Sequence, residues 1–181
     1  RQMEFNLTRM CIAYPPQEVH VLKAAGKKAI MLGVENGYAI GKDIENIARF
    51  RKMGVSYITL CHNGSNDICD SARGDAEWNG LSPFGKEVVR KMNETGVLVD
   101  ISHAAESTFY DALETSTYPI IASHSSARAL CNHPRNLTDE QLKALAEQGG
   151  VAQICLYKGF INEDAEKASL SDAIRHIDHI V

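Results

Sequence analysis

The 181-residue sequence predicts an α/β fold built on a parallel sheet, either doubly wound or closed as a (β/α) barrel. Three observations lead there. Apolar runs of strand length recur along the chain, and they are continuous rather than alternating, as in strands buried on both faces. Segments with helical spacing of apolar residues separate them. Each run ends in a polar residue or a glycine.

The first strand is expected over 29–34. Asp43 then stands as an N-cap ahead of Ile44, Ile47 and Ala48, and Met53-Gly54 closes that helix with glycine in the C′ place. The second strand is expected over 55–61. After it, 64–80 is polar, glycine-containing and without period, so it reads as a long loop of the kind that shapes a site. Ser82-Pro83 opens a helix with proline in its first turn, Phe84, Val88, Val89 and Met92 form its apolar stripe, and Thr95-Gly96 ends it. A third strand follows over 97–101, then a helix with Ala105, Phe109, Ala112 and Leu113 on one face. The fourth strand is 119–122. Thr138 with Gln141 makes a capping box ahead of Leu142, Leu145 and Ala146, and Gly149-Gly150 leads into a fifth strand over 151–156. A last helix starts near Ser169. No linker interrupts the alternation, so residues 1–181 are read as one domain.

Lys and Arg number 19 against 23 Asp and Glu, a net charge of −4. Nucleic acid and anionic membrane surfaces both need a clustered basic face, so neither is expected as a partner. Hydrophobic residues at 44% and charged residues at 23% suit a globular chain rather than a disordered one. No run of about 18 uncharged apolar residues occurs, and Arg1-Gln2-Met3-Glu4 does not open a signal peptide, so a soluble chain without a transmembrane segment is expected, cytoplasmic or exported after processing. The five cysteines form no CxxC pair and are expected as free thiols, with Cys61 and Cys155 as small core residues.

The chemistry collects at the carboxyl ends of the expected strands. Glu35 follows the first, His62 the second, His103 the third and His124 the fourth. In parallel α/β folds those ends open on one side, so four such residues should converge. One carboxylate with several imidazoles suits zinc, and a carboxylate can bridge two ions that polarise a carbonyl and activate water. That donor set points to a hydrolase, with Glu35 as the bridge. Ser123-His124-Ser125-Ser126 lacks the G-x-S-x-G setting of a nucleophile elbow. Arg128 and Arg135 follow the fourth strand, where a guanidinium could grip a free carboxylate through paired hydrogen bonds or tether a loop to a helix end. His20, His176 and His179, on helical patterns, and His133, in a loop, are read as surface or structural.

These residues lie in Gly33-Val34-Glu35-Asn36-Gly37, Leu60-Cys61-His62-Asn63, Leu81-Ser82-Pro83-Phe84-Gly85, Val99-Asp100-Ile101-Ser102-His103 and Ile121-Ala122-Ser123-His124-Ser125-Ser126-Ala127-Arg128. With Arg135-Asn136-Leu137-Thr138-Asp139 and Gly149-Gly150-Val151, they make the chain resemble the renal (membrane) dipeptidase family, zinc metallopeptidases of (β/α)8 barrel fold in the amidohydrolase-like group. The resemblance covers residues 28–160. It implies that Glu35 bridges two zinc ions, that His103 and His124 complete the second zinc site, that His62 polarises the scissile carbonyl, and that Arg135 contacts the substrate near its carboxylate. It also implies hydrolysis of dipeptides by metal-bound hydroxide, with a D-residue tolerated on the C-terminal side and β-lactams cleaved by some members.

Two departures accompany it. Nothing like the family's N-terminal His-x-Asp pair precedes Glu35, and the late aspartate ligand would come after the helix holding His176 and His179, past Val181. Phe160 also stands near where some members carry a substrate-contacting tyrosine. The chain therefore resembles the central portion of a barrel of about five βα units, expected to be completed by further chain segments or by a homo-oligomer. Two other readings remain open at this level: a barrel remnant that binds without catalysis, and an amidohydrolase-like enzyme with one metal and another amide substrate.

Overall fold

A computed structural model describes residues 9–13 and 16–181. Two parallel sheets are present among them. In the smaller, β1 (Met10–Ile12) pairs with β2 (Lys28–Ile30), the two connected through α1 (Pro16–Ala24). The larger holds β3 (Leu32–Glu35), β4 (Val55–Thr59), β5 (Leu98–Asp100), β6 (Ile121–Ala122) and β7 (Val151–Ala152), side by side in chain order with every pair parallel. The helices α2 (Asn46–Lys52), α3 (Pro83–Thr95), α4 (Glu106–Thr115) and α5 (Asp139–Glu147) fill the crossovers, and α6 (Lys158–Ile161) and α7 (Leu170–Ile180) follow β7.

The strand order separates the two parallel architectures. A doubly wound sheet reverses direction at a switch point, whereas a barrel wall adds each strand beside the last. The order β3-β4-β5-β6-β7 has no reversal, so this is an α/β fold of the barrel kind, present in part.

Local chemistry places the helices where the sequence predicts them. Ser82 accepts the Gly85 N–H at 2.8 Å at the head of α3, and Gly96 ends it in the left-handed conformation at φ 70°. At α5, Thr138 and Gln141 satisfy each other's backbone N–H groups at 2.9 and 3.2 Å. Ser169 and Asp172 form the same reciprocal cap on α7, and the Ser169 hydroxyl with the Arg175 guanidinium holds the Asp172 carboxyl well below the usual range. Asp43 is a correction: its carboxylate accepts from Glu45 N–H and pairs with Arg49 at 2.6 Å, so it caps a turn, and α2 begins at Asn46.

The expected first strand, 29–34, is really two. It breaks at Met31, its first half pairing with β1 and its second joining β4, with a register irregularity between Leu32 and Gly33. A continuous apolar run carries no information about which neighbour each half meets. The strand β1 and the polar helix α1 gave no pattern of their own. The fourth strand begins later than expected, at Ile121, the fifth ends earlier, at Ala152, and the second ends at Thr59 rather than Cys61.

The core lies between the sheet and its helices. Ile58 and Leu60, Val99 and Ile101, Ile120 and Ala122 meet Val88, Val89 and Met92 of α3 and Phe109 and Ala112 of α4, all buried. No helix among the described residues is long and apolar enough to cross a membrane.

Segment 64–80 lies against the first turn of α3, and Gly85 is why it can. A Cβ there would come within 2.0 Å of the Ile68 carbonyl oxygen, a backbone atom with no rotamer to escape into. Gly85→Ala should therefore lower stability by about 1–3 kcal/mol, the usual cost of overpacking, read as a reduced urea midpoint with unchanged m. An unshifted midpoint would mean that the loop moves freely off the helix.

Candidate metal centre

Parallel strands in chain order bring their carboxyl ends to one edge, and the four predicted residues meet there. Glu35 closes β3, while His62, His103 and His124 sit just past the ends of β4, β5 and β6. Three imidazole nitrogens surround a single carboxylate oxygen: Nε2 of His103, His124 and His62 lie 3.1, 3.3 and 3.9 Å from Glu35 Oε1. The His62 and His103 rings are 4.3 Å apart, and the His103 and His124 rings 4.9 Å. His103 takes the left-handed backbone conformation, φ 72°, which L-residues rarely adopt and which costs on the order of 1–3 kcal/mol.

Beneath the imidazoles lies Asp100, fully buried. It accepts hydrogen bonds from the Thr59 hydroxyl at 2.5 Å, the Ser102 N–H at 3.0 Å, and the N–H and hydroxyl of Ser123 at 2.9 and 2.5 Å. The Ser123 oxygen also lies 2.7 Å from His124 Nδ1. A carboxylate only accepts, so the Ser123 proton goes to Asp100 and His124 Nδ1–H donates to Ser123. That assignment leaves a lone pair on His124 Nε2, the atom facing Glu35.

Glu35, His103 and His124 open onto a cavity of about 600 Å³ that Asn63, Arg73, His133, Arg135, Tyr157, Gly159 and Phe160 also line, while His62 stands beside His103 outside that lining. Arg135 is almost fully buried, yet its Nε and Nη1 have no hydrogen-bond partner. Its guanidinium lies 5.1 Å from the Phe160 ring centre, which braces it without using its donors. Arg128 is spent instead on Asn136 and Pro134 carbonyls and on Glu106, at 3.0, 3.4 and 3.2 Å, which makes it the loop tether. His133, read from the sequence as surface or structural, lines the cavity: its Nδ1 accepts the Arg135 N–H at 3.1 Å and its ring lies 4.4 Å from Phe160. His176 is structural, buried between Ala127 N–H and the Ile161 carbonyl at 3.0 and 3.2 Å, and His179 pairs with Asp139 at 2.8 Å. Arg73 was missed because it lies in the loop without period, and Tyr157 follows the expected fifth strand but was not singled out.

Across residues 1–181 the sequence matches the family profile described as Membrane dipeptidase (Peptidase family M19). The chain belongs to that family. It is 38% identical to dipeptidase tcpJ of Claviceps purpurea over 99% of its own length, which is 43% of that protein. It superposes on an amidohydrolase from Pseudomonas aeruginosa with a TM-score of 0.90 at 27% identity, covering 97% of this chain and 53% of that one. A metallo peptidase from Rhodobacter sphaeroides, solved with a phosphinate mimic of the dipeptide L-Ala-D-Ala, gives 0.88 at 26% identity, covering 96% and 52%. The chain thus spans between two fifths and about half of these proteins.

The donor set fits the metal that membership of the dipeptidase family implies. One ligand atom each from Glu35, His103 and His124 lies within 4.8 Å of the others. Burial first, then Arg135, His124, His62 and Arg73, pushes the His103 pKa down to about 3, and burial also lowers that of His124, so both rings are neutral as ligands must be. Two lone pairs, on His124 Nε2 and Glu35 Oε1, face each other at 3.3 Å, an arrangement favourable only with a cation beside them. His103 Nδ1, buried, has no hydrogen-bond partner.

The long loop is tied to this centre. The Ser71 hydroxyl donates to the His62 and His103 carbonyls at 2.5 and 3.2 Å, and the Ala72 N–H donates to the His103 carbonyl at 2.8 Å. Buried Asp70 gathers the N–H groups of Glu77, Trp78 and Gly80 at 2.8, 3.1 and 3.1 Å. Burial alone would raise its pKa; those donors outweigh it and hold the carboxyl below its ordinary value.

Two outcomes follow from these contacts. Ser123→Ala should weaken zinc affinity by about 10- to 100-fold, the usual effect of losing a hydrogen bond to a ligating histidine, measured by chelator competition; unchanged affinity would disconnect Asp100 from His124. Asp70→Asn should destabilise by about 3 kcal/mol at neutral pH. A carboxyl with a depressed folded pKa stabilises above its unfolded value and loses that contribution as pH falls through the folded one. The gap between wild type and variant should therefore stay constant from pH 7 to about 5 and shrink below about 4. A gap that widens in acid would refute the assignment.

Proposed function

We propose that the protein is a metallodipeptidase that uses zinc, with Glu35, His103 and His124 as ligands and His62 and Arg135 as the residues that meet the substrate. The observation that carries this reading is the pairing, in one cavity, of a Glu-His-His donor set with a buried guanidinium whose donors are unused. Zinc in such a site acts as a Lewis acid and lowers the pKa of water. Glu35, 54% exposed and at the open end of β3, is the donor free to reach a second ion, and we assign it the bridging role in a two-ion site.

The chain's own residues divide the remaining work. Arg135 is a fixed cation at the cavity wall, suited to the free α-carboxylate of a short peptide, and Phe160 limits its movement. A free terminus held there restricts the cavity to small substrates, which favours dipeptides over internal bonds of longer chains. His62, 45% exposed and beside His103 rather than bonded to the Asp100 network, is placed to donate a hydrogen bond to the carbonyl oxygen as charge develops on it. Gly159 and Tyr157 complete the cavity wall.

The test uses the intact, zinc-loaded protein. His103→Ala and His124→Ala should each weaken zinc binding by at least about tenfold, because two protein ligands seldom retain zinc. His62→Leu should lower kcat by about 100-fold with zinc content preserved; parallel loss of metal and activity would place His62 among the ligands. A dipeptide amide, lacking the carboxylate, should be cleaved at least about tenfold less efficiently than the free acid. Equal cleavage of the two would remove Arg135 from carboxylate binding, and no turnover of any dipeptide by fully loaded protein would overturn the reading.

A further inference from the structure

The geometry points to Arg73 as a specificity residue that selects dipeptides carrying an acidic side chain on their carboxyl-terminal residue. This deepens the dipeptidase reading and rests on it. Arg73 lines the same cavity as Glu35, His103, His124 and Arg135, and among the described residues its hydrogen bonding is through its backbone N–H, with no ion pair to its guanidinium. An exposed arginine on a mobile loop would mean little. Arg73 is not on one, because its own N–H donates to the Ser71 hydroxyl at 3.3 Å, that hydroxyl donates to the His62 and His103 carbonyls, and the neighbouring Ala72 N–H donates to the His103 carbonyl at 2.8 Å. The base of the side chain is therefore fixed to the backbone of the metal centre.

The charges lining the cavity supply the ligand chemistry. Its lining carries one acid, Glu35, which a metal ion consumes, against two guanidiniums, Arg135 and Arg73. The α-carboxylate of a dipeptide answers Arg135. Arg73 then has no counter-charge unless the substrate brings a second anion. Both guanidiniums line one cavity together with His133, whose ring accepts the Arg135 N–H at 3.1 Å. We place the second anion on the residue whose carboxylate Arg135 holds, at the reach of an aspartate or glutamate side chain, because both guanidiniums serve the same cavity. Arg135 lies deep and buried while Arg73 is exposed at the rim, which suits an α-carboxylate below and a side-chain carboxylate above.

The experiment measures kcat/KM of the intact, zinc-loaded protein for Ala-Asp, Ala-Glu, Asp-Ala, Ala-Ala and Ala-Lys. Ala-Asp or Ala-Glu should exceed Ala-Ala by about 10- to 100-fold, the range of a charge-assisted hydrogen bond, and Asp-Ala should show no such advantage. In Arg73→Ala that acidic-over-neutral ratio should collapse at least about tenfold, and in Arg73→Glu it should invert in favour of Ala-Lys, a gain that simple damage to the loop could not produce. Raising salt should lower the wild-type ratio, since the rim is open to screening. Cleavage of Ala-Ala without any acidic preference, or a preference that survives Arg73→Ala, would overturn this inference and leave the dipeptidase reading standing. Failure to cleave any of the five would overturn both.

Discussion

Asp100 is the point on which the centre depends. Its buried carboxylate takes donors from β4, through Thr59, from the turn after β5, through Ser102, and from the end of β6, through Ser123. A buried charge is tolerable only when its lone pairs are filled, and here four hydrogen bonds fill them. The consequence is mechanical: three adjacent strand ends are held at fixed separation by one group. His103 and His124 are rooted in those same turns. Their spacing is set from below, by a carboxylate outside the cavity lining, with the Ser123 hydroxyl linking it to the His124 ring and the Ser102 hydroxyl holding the His124 N–H.

The cavity above is built to the opposite balance. Below the imidazoles a carboxylate faces hydroxyls and N–H groups; above them Arg135 and Arg73 outnumber the one acid in the lining. Burial and Arg135 keep His103 and His124 neutral, with Arg73 adding to the effect at His103. The guanidiniums thus have two effects from one placement. They preserve the lone pairs that a metal requires, and they leave the open side attractive to anions. Arg135 shows how such a charge is tolerated when its donors have no protein partner: the flat face of the guanidinium rests against Phe160 while its edge stays available.

What was legible in the sequence follows from the range of the interactions involved. Ser82, Thr138 and Ser169 cap helices through contacts three residues away, so the helices they open could be read locally. The meeting of Glu35, His62, His103 and His124 was legible because parallel order alone brings strand ends together. The split of 29–34 between two sheets was not, since pairing partners lie far along the chain. Arg128 and Arg135 are the same residue type seven positions apart, and only the folded loop decides that carbonyls consume one and leave the other's donors unused. His133 and Arg73 reach the cavity from loops without period, where sequence spacing has no bearing on position.

The loop 64–80 joins these themes, because it supports the most strained residue of the centre. At φ 72°, His103 occupies a conformation that its own side chain disfavours. Its carbonyl is held by Ser71 and Ala72, and Ser71 also holds the carbonyl of His62, so the loop fixes two imidazole-bearing turns at once. Asp70, one residue earlier, collects the N–H groups of the loop's far end and prevents it from unwinding. The strain at His103 therefore has a definite counterweight in a segment that carries no regular secondary structure. Arg73 projects from that same short stretch. Whatever shifts Ser71 must move His103, a ligand candidate, together with His62 and Arg73, so the positions of all three are coupled through one hydroxyl.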